Sequence, residues 1–155
     1  MAYSGKFQPI HTHKYKGDSN KIVFRSLWER QVFVWCDSNP GVLEWSSEEV
    51  IVPYVCRSDG KPHRYFVDLY VKLENGNVLL IEIKPHVQTQ KPVFSKRKKQ
   101  SSMLVEAVTY AKNVSKWEAA EEYCRKRGWM FQIWTEKTLA SLGIKIAGTA
   151  DKGKR

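Results

Sequence analysis

The residues that most restrict how this chain can fold lie between positions 63 and 84. They read His63-Arg-Tyr-Phe-Val-Asp-Leu-Tyr-Val-Lys-Leu73, then Glu74-Asn75-Gly76, then Asn77-Val-Leu-Leu-Ile-Glu-Ile-Lys84. Two runs rich in β-branched and aromatic residues, separated by Asn-Gly, predict a β-hairpin. Three ionisable residues interrupt the apolar runs: Asp68 in the first, Glu82 and Lys84 in the second. Charged groups are seldom placed among Val, Ile and Leu unless they are paired, bind a metal or do chemistry.

Side chains alternate along a strand, so Glu82 and Lys84 share one face while Leu79, Ile81 and Ile83 take the other. By the same rule Tyr65, Val67, Leu69 and Val71 share a face, opposite Phe66, Asp68 and Tyr70. A two-residue turn at Asn75-Gly76 would send Asp68 and Glu82 to opposite faces. A three-residue turn, Glu74-Asn75-Gly76, pairs Leu73 with Asn77, brings Asp68 opposite Glu82 and puts Gly76 where a left-handed residue is needed. The three-residue turn is favoured. Directly opposed residues have Cβ atoms about 4.5–5.5 Å apart, close enough for two carboxylates to share one divalent cation.

With 155 residues, 42% of them hydrophobic and 27% charged, the chain has the make-up of one soluble domain with a real core. No apolar run is long enough to span a membrane, and no signal peptide or membrane partner is expected. Cys36, Cys56 and Cys124 are widely spaced and fit a reducing compartment. The net charge of +10 favours a polyanion partner, most simply nucleic acid. Its distribution sharpens this: residues 84–99 carry six cations, Lys84, Lys91, Lys96, Arg97, Lys98 and Lys99, and no acid.

Residues 1–24 read as a basic, aromatic arm, with His11 and His13 expected in solvent. Ser26-Leu-Trp-Glu29 is a capping box that opens a helix with Leu27, Trp28, Val32, Trp35 and Cys36 as its apolar stripe, ended by Asn39-Pro40-Gly41. Residues 42–45 are short and extended. Residues 49–56 predict a strand, placed at an edge or a bulge by Pro53, and residues 57–62 a turn. After the hairpin, Pro85 stops the strand and a basic linker runs to about Ser101. A helix is expected over 103–113 and a second, opened by Ser115-Lys-Trp-Glu118, to Arg127, where Gly128 caps it. Residues 129–134 predict a buried strand parallel to one neighbour, and Thr135 caps a last short helix. Residues 147–155 read as a disordered basic tail. The expected fold is therefore α/β, a single domain over residues 25–146 with a mixed central sheet flanked by helices.

Asp68, thirteen residues, then Glu82-Ile-Lys84 has a chemical logic. Two carboxylates hold Mg²⁺ through hard oxygen ligands and leave positions for water and phosphate. The cation activates water and offsets charge on a phosphodiester. A lysine on the same face can orient the water or stabilise the negative transition state, and the Ile83 carbonyl can add a ligand.

Phe66-Val-Asp-Leu69 and Ile81-Glu-Ile-Lys84, in this order of elements, resemble the PD-(D/E)xK nuclease superfamily. Met1-Ala-Tyr-Ser-Gly-Lys6, Tyr15-Lys-Gly-Asp18, Arg25-Ser-Leu-Trp-Glu29, Ile51-Val-Pro-Tyr54, Arg64-Tyr-Phe-Val-Asp68, Ile81-Glu-Ile-Lys-Pro85 and Lys116-Trp-Glu-Ala-Ala120 resemble, more narrowly, the head-completion nucleases of T4-like tailed bacteriophages, which are similar to TnsA-type nucleases. The resemblance implies an α-β-β-β-α-β nuclease core and an Mg²⁺-dependent deoxyribonuclease, with Mn²⁺ as a substitute, acting after DNA packaging in head completion and head–tail joining. It implies catalytic roles for Asp68, Glu82 and Lys84, with Asp68, Glu82 and Ile83 at the metal, and it matches Glu29 to a first-helix glutamate at the same site. Glu29 also has a sufficient structural explanation as the closing half of its cap. Lys91, Lys96, Arg97, Lys98 and Lys99 are candidates for contacts to the phosphates of duplex DNA. Nothing here resembles a base-reading motif, so little sequence specificity is expected. Portal, neck or other head proteins are the implied protein partners, and the virion or the host cytoplasm during assembly the implied location. The alternative is a structural DNA-binding neck protein that needs no catalysis.

Overall fold

The computed structural model describes residues 4–146. In chain order the elements are β1 (Gly5–Lys6), β2 (Val23–Phe24), α1 (Leu27–Ser38), β3 (Val42–Ser47), β4 (Ile51–Val55), β5 (Pro62–Phe66), β6 (Leu69–Leu73), β7 (Val78–Ile83), α2 (Gln100–Arg127), β8 (Met130–Trp134) and α3 (Glu136–Ser141). The central sheet has the order β3-β6-β7-β8, antiparallel except that β8 runs parallel to β7 after the α2 crossover. β4 and β5 form a separate two-stranded sheet, which leaves Pro53 on an unshared edge where its missing N–H costs nothing.

Both faces of the central sheet are covered. On one, Leu69, Val71, Leu79 and Ile81 pack with Val32, Phe33 and Cys36 of α1 and with Trp45. On the other, Tyr70, Val78 and Leu80 pack with Val52, Tyr54 and Tyr65 of the β4–β5 sheet and with Ala120 and Cys124 of α2. Residues 4–24 are drawn into the first of these cores: Phe7, Tyr15 and Ile22 are buried in it. A polar clasp fixes their path. Buried Asp37 accepts from the amides of Ile10 and His11 at 2.8 and 2.9 Å, and Lys14 Nζ donates to the carbonyls of Asp37 and Asn39 at 3.0 and 2.8 Å. The tail at 147–155 lies outside the described residues.

The turn between β6 and β7 is the three-residue one. Leu73 N donates to the Asn77 carbonyl at 2.8 Å, Gly76 has φ of +90°, and Leu69 pairs with Ile81. The strand before it, however, is not continuous. It divides into β5 and β6 at Val67-Asp68, and its partner divides into β3 and β4 around Glu48, which has φ of +57°. Ser47 pairs with Leu69 and Ile51 with Phe66, so three residues on one side, 48–50, pass against two on the other, 67–68. That surplus residue is a bulge, and it breaks the simple alternation. Tyr65 and Val67 therefore lie in the α2-side core while Leu69 and Val71 lie in the α1-side core, contrary to the shared face expected of them.

Two further expectations are corrected. The helices expected at 103–113 and from Ser115 are one helix, α2, of 28 residues and about 42 Å. Ser115 is no cap: its Oγ donates to the Ala111 carbonyl at 2.9 Å and accepts from Arg57 N at 3.0 Å. Glu118 is paired with Arg57 instead of closing a box. And β8 is half-covered, not buried, with Met130 exposed and only Trp134 fully enclosed.

Candidate active site

The bulge aims the site. Asp68 stands in the two-residue gap between β5 and β6, where its carbonyl accepts from Glu48 N at 3.3 Å while Val67 N donates to the Val50 carbonyl at 3.1 Å. Its side chain reaches across to β7, and Oδ2 accepts from Ile83 N at 2.8 Å. Asp68 is thus anchored by the backbone between Glu82 and Lys84. Glu82 is buried at 7% exposure on the α2 side of the sheet. Its Oε1 accepts from Tyr65 Oη at 2.5 Å, and its Oε2 lies 3.2 Å from Lys84 Nζ.

These contacts explain why the acids tolerate an apolar setting. A charged hydrogen bond of the Tyr65–Glu82 kind contributes about 1.5–3 kcal/mol and satisfies one carboxylate oxygen, while Lys84 serves the other. Compensation is nonetheless incomplete. Burial first, and then the neighbouring Glu82 carboxylate, push the Asp68 carboxyl well above the ordinary aspartate range, against the pull of the Ile83 amide. Glu29 is raised as well, again mainly by burial, with Glu48 and Glu82 adding to it. Tyr65 is held firmly protonated by burial and by Glu82, so it can only donate to that oxygen. A raised, buried carboxyl beside a second carboxylate, both offering hard oxygen atoms, suits a small divalent cation. Asp68 and Glu82 are the two acids it would take.

Glu29 sits in the first turn of α1. Ser26 Oγ accepts from Glu29 N at 3.2 Å, as a cap should, but Glu29 Oε1 accepts from Arg25 N at 2.8 Å rather than from Ser26 N. Arg25 in turn grips Glu48 of the bulge through both Nε and Nη2, at 2.9 and 3.2 Å. The start of α1 is so tied to the kink that positions Asp68. Glu29 shares an electrostatic neighbourhood with Asp68 and Glu82.

Two residues at the site were not singled out from the sequence. Simple alternation puts Tyr65 on the Leu69 face, and the bulge turns its hydroxyl to Glu82 instead. Lys116 looked like the interior of a cap; on the unbroken α2 it instead lies with Nζ 5.4 Å from the centre of the Tyr65 ring. Burial lowers its ammonium, opposed by Glu82 and reinforced by Lys112 and Lys84. In sequence it reads as part of the Ser115-x-x-Glu118 cap, and only the fold brings it near Asp68 and Glu82.

The remaining candidates do not converge on these carboxylates. Lys91, Lys96, Arg97, Lys98 and Lys99 are exposed on the irregular stretch between a short 3₁₀ turn, His86–Thr89, and α2. The ion pair made by Lys98 goes to Glu106 of α2, at 3.0 Å. The stretch leaves the site at Lys84-Pro85, so it is linked to the chemistry by the chain. Lys91 and Lys98 also line a cleft of about 510 Å³ beside Val87, Val93, Val105 and Tyr110. His11 and His13 are exposed, as expected.

Comparison with known proteins places this arrangement. Residues 39–136, which contain Asp68, Glu82, Lys84 and Lys116, match the family described as "TnsA-like endonuclease N terminal". The head completion nuclease of Enterobacteria phage T4 is 43% identical over 150 residues, covering 95% of this chain and all of that protein.

Proposed function

Because the chain belongs to the TnsA-like endonuclease family and is a nuclease, we propose that it is a divalent-metal-dependent deoxyribonuclease acting on phage DNA during head completion, with Asp68, Glu82 and Lys84 as its reaction centre. The observation that carries this reading is the meeting of the two acids at β7: Asp68 on the Ile83 amide, Glu82 between Tyr65 and Lys84. Asp68 and Glu82, with the Ile83 carbonyl, would hold Mg²⁺, or Mn²⁺ in its place. When bound, the cation supplies Lewis-acid charge toward a phosphodiester and lowers the pKa of water.

The protein's own groups do the rest. Tyr65 Oη holds Glu82 in one orientation and keeps one of its oxygens engaged, so the other is directed toward Lys84. Lys84, with its stem half-buried and its ammonium at the acids, orients the attacking water and meets negative charge developing on the phosphate. Lys116 adds a second partly desolvated ammonium on the α2 side, where it helps draw a phosphate in against the carboxylates. Glu29 keeps its cap and lends a third carboxylate to the metal's surroundings. The run from Lys91 to Lys99 grips the duplex through its backbone, without reading bases.

The test is cleavage of supercoiled plasmid in an Mg²⁺ titration by the wild type and by Asp68→Ala. Cleavage should rise with Mg²⁺ only in the wild type; equal, chelator-resistant cleavage by both would overturn the reading. Complementation of a head-completion defect then separates chemistry from architecture. A folded Asp68→Ala chain that still completes heads would assign the role to the protein's body and its portal or neck contacts instead of to cleavage.

A further inference from the structure

Away from the carboxylates, at the far end of the β4–β5 sheet, Cys56, Asp59 and His63 bring one sulfur, one carboxylate oxygen and one imidazole nitrogen within 4.8 Å of one another. We propose that this turn binds a single thiophilic divalent cation of the Zn²⁺ type, a second metal site distinct from the Mg²⁺ site of the nuclease reading and independent of it.

The backbone builds the turn around the sulfur. Gly60 N donates to the Cys56 carbonyl at 2.7 Å and Cys56 N to the Lys61 carbonyl at 3.0 Å, closing a tight loop whose Gly60 has φ of +68°. That conformation favours glycine. Inside the loop the Ser58 hydroxyl lies 3.0 Å from the Cys56 sulfur. Donors gathered on a sulfur stabilise the thiolate, the form that binds metal, and the Cys56 thiol is accordingly lowered. The two other cysteines differ: burial raises Cys36 and Cys124, the latter to about 11, as expected of inert core residues.

The other two ligands are oriented as well. His63 Nε2 lies 2.8 Å from Asp59 Oδ2, and the imidazole is stacked on Tyr54 across the β4–β5 pair with centroids 5.6 Å apart. Asp59 Oδ1 is held by Lys61 N at 2.9 Å. Ligand atoms around tetrahedral zinc stand about 3.3–3.8 Å apart, given bonds of about 2.0–2.3 Å, so small rotations of Asp59 and His63 close the set. Asp59 is exposed, so a fourth position opens to water. Sulfur and imidazole select Zn²⁺ over Mg²⁺, and an oxygen-only site such as Asp68–Glu82 has the opposite preference. The site would clip the tip of the sheet whose strand β5 carries Tyr65 and runs on to Asp68.

The experiment uses the full chain, stripped of metal under reducing conditions, with Zn²⁺ and Co²⁺ as probes. One Zn²⁺ should bind, unaffected by millimolar-scale Mg²⁺, and Co²⁺ should give the near-ultraviolet sulfur-to-metal charge-transfer band that requires a thiolate. Asp68→Ala/Glu82→Ala should keep both signals. His63→Gln and Asp59→Asn should weaken binding beyond the about 10–100-fold that loss of an outer-shell partner costs, and Cys56→Ser should abolish the band. The proposal is overturned if Co²⁺ gives no such band in the wild type. It is equally overturned if the band survives in Cys56→Ser, or if stoichiometry falls to zero only when Asp68 and Glu82 are removed. Should Cys56→Ser fail to fold, the His63→Gln and Asp59→Asn titrations decide alone.

Discussion

The acids at β7 and the cations of residues 91–99 are both charged groups in one basic protein, yet they are built in opposite ways. Glu82 is buried with both oxygens engaged, and Asp68 is pinned on a backbone amide. The cations stand exposed on an irregular stretch, and the ion pair there is a surface one, which contributes little. The contrast teaches where the molecule invests rigidity. Cleavage needs a cation and a phosphate placed to within fractions of an ångström, whereas holding a uniformly charged polymer does not. On the proposed function, in which the acids cleave and the run holds DNA, the two should therefore respond differently to mutation, salt and pH.

The widest separation comes at the acids themselves. Glu82→Ala and Lys84→Ala should each lower the rate of plasmid cleavage by about 10³-fold or more, with duplex affinity in a gel-shift assay little changed. Parity between the rate loss and the affinity loss would dissolve the distinction. Next are the groups that act through the acids. Tyr65→Phe removes the hydroxyl from Glu82 and should cost about 10–100-fold in kcat, chiefly by raising the Mg²⁺ concentration needed for half-activity. Lys116→Ala, which touches the substrate side, should raise KM more than it lowers kcat. The run comes third. Lys96→Ala/Arg97→Ala/Lys99→Ala should weaken duplex binding, reducing the slope of log affinity against log salt by about 1 per residue, and leave single-turnover cleavage at saturating DNA near that of the wild type.

The smallest effect lies in stability. Asp68 has a folded-state pKa raised above its unfolded value near 3.9. Between the two values the folded chain holds more protons than the unfolded one, so stability falls as pH rises through that window. In chelator, the wild-type Tm should therefore decline as pH climbs from about 4, and Asp68→Asn should flatten part of the decline, with Glu29 supplying what remains. Adding Mg²⁺ should restore the wild type and not the variant. A variant whose Tm follows the wild-type curve at every pH would show that Asp68 is not strained by its neighbours.

Much of the architecture was legible because it rests on local signals. Asn75-Gly76 fixed the hairpin turn, Gly128 the end of α2, Thr135 the start of α3, and the crossover the parallel pairing of β8. The pairing of Asp68 with the Glu82–Ile83 segment followed from that turn. What was not legible depends on contacts distant in sequence. The bulge at Glu48 is stabilised by Arg25, 23 residues away, and no alternation pattern within 63–73 could disclose it. Ser115 imitates a cap perfectly well in sequence, and only its bond to Arg57 shows that helix packing has overruled it. The arm is similar: Phe7, Tyr15 and Ile22 carry no periodicity because each inserts singly into a core made by other elements.

The surplus residue at Glu48 has a consequence for how this chain can vary. Substitutions along β3 to β6 change one side chain at a time, but a deletion at position 48 would bring the two ladders back into count and turn everything on one side of it over. Tyr65 would then swing away from Glu82 with every amino acid of the site still present. This segment should thus accept changes of letter far more readily than changes of length, and a residue reinserted on the same strand would be the natural suppressor of such a deletion.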